Sequence, residues 1–499
     1  MSQTKRAYDK FLLYALLIIA LGVVGFISAT TIIDPNYLNT TGPVVADTGI
    51  FTSVDSTEYY LNSVNVTGGF YSGQGVTATV GFNQGLDYLP NYWYCDGTAD
   101  DVELNAALAY VRTLGAGTVY AESGVYDITS SILIGSYQQL IGDGNYATRF
   151  EAAAGLNAPV IATVTTTSLY GYIRLQDFEV DGNSATQASG NAISLRCWRS
   201  ELYNLYVKDA KEIGIFIQGI AGSFGIENRV VACKVLECGS YGIAFGNYAP
   251  DSHIIDCMIG RCVGGINVEA MTENIRGNHL YDIQGHGILA RNAGQSIISN
   301  NFLEGIYDHG IYVLDNVNQS RTIIISNNII RDPSKRTTNT YAHIRVAGTI
   351  VYEVNDINII GNIMYHSGNV TQADYAVESV YADKLIIDSN NWEDAYVTGA
   401  LSLSGTDNEI SGTNIGYVTE KLGTATILSG TTNITIAHGL SYTPTTANTE
   451  WTVSYLENPT NDCGSWYITG LNATHAVVHV FRDPGASHLD IAWSARRTP

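Results

Sequence analysis

Gly264-Gly265-Ile266-Asn267-Val268 returns as His286-Gly287-Ile288-Leu289-Ala290 and again as His309-Gly310-Ile311-Tyr312-Val313, at intervals of 22 and 23 residues. Earlier copies stand at Ala192-Ile193-Ser194-Leu195, Gly214-Ile215-Phe216-Ile217 and Gly242-Ile243-Ala244-Phe245. Successive isoleucines are 22, 28, 23, 22 and 23 residues apart, a period that points to a solenoid. A second phrase, a short β-branched run ending in Asn-x-apolar, recurs between the first: Asn278-His279-Leu280, Asn300-Asn301-Phe302, Asn327-Asn328-Ile329, Asn362-Ile363-Met364 and Asn390-Asn391-Trp392. Runs of four or five residues with period 2 are strands, so each coil holds two or three strands with a turn after each. A single coil cannot bury its apolar face, and stacking must do so. Ile344-Arg345-Val346, Val377 and Leu401 continue the first phrase with gaps of 33, 33 and 24, which predicts longer loops walling a groove. About ten coils at ~4.8 Å each make a rod roughly 50 Å long.

The two phrases, held in phase, resemble the right-handed parallel β-helix of the pectate-lyase superfamily, with Gly-Ile opening the first sheet and an Asn ladder at a sharp turn. The resemblance implies an all-β solenoid in which each recurring Asn side chain bonds the backbone of the next coil. Upstream, Asp96-Gly97-Thr98-Ala99-Asp100-Asp101, an amphipathic helix from Asp101 to Leu114, Gly115-Ala116-Gly117-Thr118-Val119-Tyr120, Ser123-Gly124-Val125-Tyr126 and Leu140-Ile141-Gly142-Asp143-Gly144 resemble the N-terminal entry of the tailspike-like and endorhamnosidase-like branch. Asp100 and Asp101 fall where helix N-cap carboxylates belong. The helix would plug the open end of the core, as solenoids require. From about Thr424 the rungs stop, and His438-Gly439-Leu440 with Thr443-Pro444 resembles the small β-sandwich that closes many tail-fibre-like proteins. Trp451, Trp466 and Trp493 there are candidates for stacking on sugar rings, although tryptophan embedded in strands more often belongs to the core.

The chain is acidic, with a formal net charge of −22 over 499 residues, which argues against nucleic acid as a partner and against gripping anionic polymers by bulk charge. Phe11 to Phe26 (FLLYALLIIALGVVGF) is uncharged and follows Lys5, Arg6 and Lys10. It reads as a secretory segment or a single membrane span with the N-terminus inside, and Ile27-Ser28-Ala29 is an indifferent cleavage site, so an uncleaved anchor is favoured. Either way the bulk of the chain is expected on the extracellular face, anchored or secreted. Asn39, Asn65, Asn318, Asn369, Asn433 and Asn472 each precede x-Ser/Thr and suit that placement. The expected organisation is residues 1–29 as signal or anchor, 30–92 as a β-rich stalk or linker, 93–423 as the parallel β-helix and 424–499 as the sandwich. A stalk of short strands needs partners to bury enough surface, and with the tail resemblance it implies a homotrimer.

Cys233/Cys238 and Cys257/Cys262 repeat at 24 residues and stack on adjacent coils. Disulfides, a four-cysteine zinc site and buried thiols are the alternatives; the C-x4-C spacing suits zinc poorly, and parallel side chains favour packed thiols.

Candidate chemistry lies on the outer face of the first sheet. The outward column after each Gly-Ile reads Ser194, Phe216, Ala244, Asn267, Leu289, Tyr312 and Arg345, and the next reads Arg196, Gln218, Gly246, Glu269, Arg291 and Leu314. Glu269 and Arg291 are stacked neighbours, which is also what a plain surface ion pair would look like. The column before Gly-Ile carries Tyr241, Gly264, His286 and His309, with Asp308 beside the last. Gly285-His286-Gly287 resembles the G-H-G of polygalacturonase-type hydrolases, but that family's aspartates are replaced by Val263-Gly264 and Ser240-Tyr241, so its mechanism does not transfer. The remaining catalytic candidates are His286, His309, Glu269, Arg291, Asp308 and Asp315, with Tyr241, Asn267 and Tyr312 as substrate-binding candidates. Glu269 and Asp315, two coils apart and on the order of 9 to 10 Å along the axis, sit at the edge of an inverting hydrolase's separation. A lyase would instead use Arg291 to neutralise a uronate and His286 or His309 as the base. Asp177, Glu179 and Asp181 alternate along one strand and could hold a cation, or simply form a solvent face. No D-x-D-x-D-G calcium loop occurs and no cofactor is expected. The resemblance thus implies a polysaccharide or cell-surface glycan partner, with a lyase or glycosidase on one side and a silent adhesin or spike on the other.

Overall fold

The computed structural model describes Val44–Ala46, Gly49–Phe51 and residues 77–497, apart from 87, 88, 90, 318–320, 338, 339, 369–371, 393, 394, 406, 412, 417, 419 and 457–460. The apolar segment 11–26 lies outside the described residues, as does the stalk up to residue 76 except for the antiparallel pair Val44–Ala46 and Gly49–Phe51. No helix among the described residues is long and apolar enough to cross a membrane.

From residue 78 to residue 410 the chain winds as a parallel β-helix. Among the described residues its three parallel sheets hold twelve, fifteen and ten strands. In the first sheet Ile193, Ile215, Ile243, Ile266, Ile288, Ile311, Ile344 and Val377 pair in one unbroken register, each fully buried. The Gly-Ile phrase therefore does mark one inward stack. Val230, Ile254, Ile275 and Ile298 form the matching column of the second sheet, and Val235, Ile259, Leu280 and Leu303 that of the third. Together they make one continuous core.

A left-handed residue at each of three corners bends these flat sheets into a closed section. Between the first and second sheets stand Glu227, Asp251 and Thr272 with φ of 59°, 60° and 65°; between the second and third stand Asp256, Gly277 and Asn300 with 54°, 69° and 55°. Arg261, Asp282 and Gly305, with 54°, 50° and 63°, turn back to the first sheet. A β-carbon is strained in this region, so Gly, Asn and Asp recur there.

The residue after the second corner makes the Asn ladder. The amide N–H of Asn278 donates to Asn301 Oδ1, that of Asn301 to Asn328 Oδ1 and that of Asn328 to Asn362 Oδ1, all at 3.0 Å. The ladder runs on through Asn390 to Asn414, one rung beyond the residues recognised in the sequence. A second polar ladder, not anticipated, lines the corner between the first and second sheets. There Ser200 N–H donates to Asn228 Oδ1 at 3.2 Å, Asn228 N–H to Ser252 Oγ at 3.2 Å and Glu273 N–H to Ser296 Oγ at 3.0 Å. Glu273 is the one acid in this column, and burial drives its carboxyl well above the usual range, with Asp251 adding and the Ser252 amide opposing.

The helix Asp101–Thr113 buries Leu104, Ala107, Leu108 and Val111 against the first strands. Asp100 and Asp101 do not cap it through their side chains. Asp100 already has helical backbone angles (φ −63°, ψ −9°), unlike an N-cap residue, and it makes no side-chain cap bond. Asp100 instead accepts from the amides of Gly97 and Asp127 at 2.9 and 2.8 Å, and Asp101 from the Thr129 amide and hydroxyl at 2.8 and 2.9 Å, pinning the helix to the first coils.

Past the last coil, Glu420–Ile427, Leu489–Arg497 and Thr449–Tyr455 form one antiparallel sheet, and Asn433–Ala437, His475–Val480 and Trp466–Thr469 another. Trp493 is buried in the separate core of this region, and Trp451 and Trp466 pack against it, so all three belong to packing. The seven cysteines are buried and unbridged. The three alternating acids do not share one face: Asp177 is a left-handed corner (φ 59°), while Glu179 and Asp181 are buried on the third sheet under Arg149 and Lys208. Side-chain cations thus occupy the place offered to a metal.

Candidate functional site

The outer face of the first sheet is built from the columns that alternate with the inward isoleucines. Phe216, Ala244, Asn267, Leu289, Tyr312, Arg345 and Glu378 pair coil by coil along it. Ala244, Asn267 and Leu289 point outward yet are buried, lying in the column between the larger Phe216 and Tyr312. Asn267 donates through Nδ2 to Glu269 Oε1 at 3.3 Å, so it supports the acid beside it.

Four rings crowd the corner that enters this sheet. His286 stacks on His309 with centroids 5.4 Å apart and planes 16° off parallel, and Tyr312 meets both at 5.0 and 5.1 Å. Tyr341, from the long loop preceding Ile344, meets His309 edge-on at 5.0 Å. His309 is buried and its Nδ1 accepts from the Ala342 amide at 2.9 Å; burial, then the neighbouring His286, holds its pKa down to about 2. His286 is half-buried and is also kept below its ordinary pKa, chiefly by burial, with Asp308 opposing and Arg336, Arg345 and Arg291 adding. Both imidazoles are therefore neutral at pH 7, and of the two only His286 has surface to offer a ligand.

Three carboxylates on this face meet a guanidinium. Glu269 lies 3.5 Å from Arg291, Asp308 lies 3.4 Å from Arg336 and Glu378 lies 2.5 Å from Arg345, whose guanidinium also sits 5.8 Å from the Tyr312 ring centre. Glu269 and Arg291 also line a shallow depression with Asn247, Asn292, Asn316 and Val317. Asp315 stands apart from this set: it is fully buried and its carboxylate accepts from the Val317 amide at 3.3 Å. It and Glu269 therefore do not face each other across an open groove.

Arg336, Tyr341 and Glu378 were outside the sequence-derived set. The first two lie in a loop with no periodic signal, whereas Glu378 directly follows Val377, whose register is legible, and is missed because the outward column is followed only to Arg345. A usable signal does exist for the rings. Tyr241 lies over Gly264, where an added β-carbon would be 2.4 Å from its ring, and Phe216 lies over Gly246, where it would be 2.9 Å away. The glycines of these columns are seats for aromatic side chains from the preceding coil.

Residues 171–330 match the family model described as the right handed beta helix region. Among solved structures, the chain is similar to a double mutant of the tailspike protein of E. coli bacteriophage HK620, at 13% identity over 80% of this chain and 90% of that one, with a TM-score of 0.54. It is similar to the same tailspike in complex with a pentasaccharide, at 12% identity over 80% and 89%, with a TM-score of 0.51. It is also similar to the A-module of the Azotobacter vinelandii mannuronan C-5 epimerase AlgE4, at 17% identity over 64% and 98%, with a TM-score of 0.50. No curated protein sequence matches. At these identities the likeness defines the class by fold: the chain is a right-handed parallel β-helix protein.

Proposed function

We propose that the outer face of the first sheet binds an extended polysaccharide along the helix axis, making this a glycan-binding or glycan-active β-helix protein. The observation that carries the reading is the placement of Tyr241, His286, Arg291, Tyr312 and Arg345 on one face of the first sheet between the coils of Ile243 and Ile344, a strip of rings and forked donors running along the axis. Rings and planar donors in series suit a chain of pyranose rings and hydroxyls. The pentasaccharide held by the tailspike and the polymer named for the epimerase support the same class of ligand.

A second reading, proton abstraction beside a uronate carboxylate, is favoured by one feature. His286 is an imidazole held neutral next to Arg291, Arg336 and Arg345, the combination of base and charge neutraliser that a lyase uses. The hydrolase reading loses its Glu269/Asp315 pair, because Asp315 is buried. Mixing the protein with a polysaccharide panel and following reducing ends and unsaturated-uronate absorbance separates the readings. Retention without products supports binding alone, absorbance that disappears in His286→Ala supports the lyase, and no retention on any glycan overturns the function.

The same proposal takes segment 11–26 as a membrane anchor that leaves the rest outside the cell, and the residues from 30 up to the first β-helix strand at Ala78 as a stalk or linker, a shorter one than the expected 30–92. The helix at Asp101 acts as the plug of the β-helix and residues 424–499 as a closing sandwich, in a homotrimer. A monomeric ectodomain in light scattering would overturn the assembly.

A further inference from the structure

The first sheet's outer face is chemically divided. Its C-terminal half carries His286, the Asp308–Arg336 pair and the Arg345–Glu378 pair, whereas the coils of Ile215 and Ile243 present aromatic rings and amides. Phe216 lies over Gly246 and forms a half-buried floor at the end of the strand. At the edge toward the second sheet, Phe224 and Tyr248 stand 59% and 43% exposed with ring centroids 6.0 Å apart.

That edge is built rather than incidental. Tyr248 adopts φ of 65°, a strained conformation for an aromatic residue, and its carbonyl accepts from the Gly225 amide at 2.7 Å, which draws the loop carrying Phe224 onto it. Gly219 is required beneath it, since a β-carbon there would lie 2.7 Å from Tyr248 Cβ. Asn247, exposed on the same edge, borders the depression that leads to Glu269 and Arg291. The outward columns of these two coils, Phe216 and Gln218 and then Ala244 and Gly246, carry no formal charge, and in the preceding coil the Arg196 guanidinium donates to the Gly219 carbonyl at 3.1 Å.

We infer that Phe216, Phe224 and Tyr248 form a subsite for an uncharged pyranose residue of the polymer, with Asn247 and Gln218 supplying amide contacts to its hydroxyls. This rests on the polysaccharide reading above and names the class of sugar at one end of the strip. Aromatic surface receives the C–H face of a pyranose, amides exchange hydrogen bonds with its hydroxyls, and the outward columns of the coils of Ile215 and Ile243 offer no cation to a carboxylate.

The test is affinity electrophoresis of the full chain through gels containing galactomannan, a mixed-linkage glucan, alginate or polygalacturonate. The variants are Phe224→Ala/Tyr248→Ala, the conservative Phe224→Tyr/Tyr248→Phe, and Arg345→Ala. A neutral polymer should retard the wild-type chain, the alanine pair should weaken that retardation about tenfold or more, and the conservative pair should stay within about twofold. Circular dichroism checks that the alanine pair folds, which both exposed positions permit. Retardation by a neutral polymer that survives the alanine pair, or by polyuronates alone, overturns the subsite and leaves the polysaccharide function standing. A wild-type chain retarded by none of the four overturns the subsite, and the panel assay above then decides the function separately.

Discussion

At the scale of single residues, the corners carry the clearest costs. Ala232 occupies a left-handed position (φ 53°) that neighbouring coils fill with Asn204 and Asp256. Its β-carbon is strained there and its side chain is exposed, so Ala232→Asn should stabilise the protein by about 0.5–1 kcal/mol, read from the urea midpoint. Glu273 makes a prediction of opposite sense about pH. Its folded pKa is raised, so its contribution is fully present below the unfolded value of about 4.3 and is lost as pH rises toward the folded value. Glu273→Gln, which keeps shape and cannot ionise, should flatten the stability profile between pH 4 and 8 and leave the variant more stable than wild type at pH 7. His343 behaves in mirror image. It takes the place held by Gly310 one coil earlier, is fully buried, and has its pKa held down to about 3, mainly by burial and then by His366. Its contribution is present above about 6.5 and is lost as pH falls toward 3, by up to about 1.4 kcal/mol per pH unit. Denaturation of His343→Leu at pH 7 and pH 4.5 should show a smaller acid loss than wild type.

At the scale of elements, the Asn ladder holds the second and third sheets at a fixed angle. Asn301 accepts both the amide and the side-chain N–H of Asn278, and its own Nδ2 donates to the Ile275 carbonyl and Asn328 Oδ1. Asn301→Ala leaves those buried groups without partners and should cost about 3–5 kcal/mol, near the upper range for single substitutions. Asn414 closes the ladder: it accepts the amide and Nδ2 of Asn390 as Asn301 accepts those of Asn278, but its own Nδ2 donates to the Ile387 and Ser411 carbonyls and to no further Asn among the described residues, so Asn414→Ala should cost about 1–3 kcal/mol. Equal losses at the two positions would mean that the bonds act singly rather than as a stack. The first-sheet register was legible because inward isoleucines alternate with outward residues at period 2. The second ladder was not, because Ser200, Asn228, Ser252, Glu273 and Ser296 share a place and a bonding role but no residue type.

At the scale of the molecule, the net charge of −22 sets how partners approach. Long-range repulsion of a polyuronate is screened as the Debye length falls from ~30 Å at 0.01 M to ~8 Å at 0.15 M salt. Binding of an anionic polymer should therefore tighten with salt over that range, and binding of a neutral one should stay constant, in affinity gels run at the two concentrations. Weakening of polyuronate binding with salt would mean that local arginines dominate over the global charge. That outcome would place the carboxylates beside Arg291, Arg336 and Arg345 as displaceable partners.

The amino-acid sequence alone determined the solenoid, its period, the inward isoleucine stack and the Asn ladder, because each is a local pattern repeated until chance no longer explains it. It also brought Glu269 next to Arg291 and His286 next to His309, since residues one period apart are neighbours on stacked coils. Tertiary structure alone decided accessibility. Asp315 and His309 share columns or corners with exposed groups yet are buried, and Asp100 and Asp101 anchor the helix to distant strands instead of capping it. Arg336 and Tyr341 reach the site from an aperiodic loop, and Phe216 and Tyr241 find their seats on glycines of the next coil. Periodicity carries register because register is a count of residues. Exposure depends on which side chains from other coils and loops fold over a position, and no count along the chain contains that.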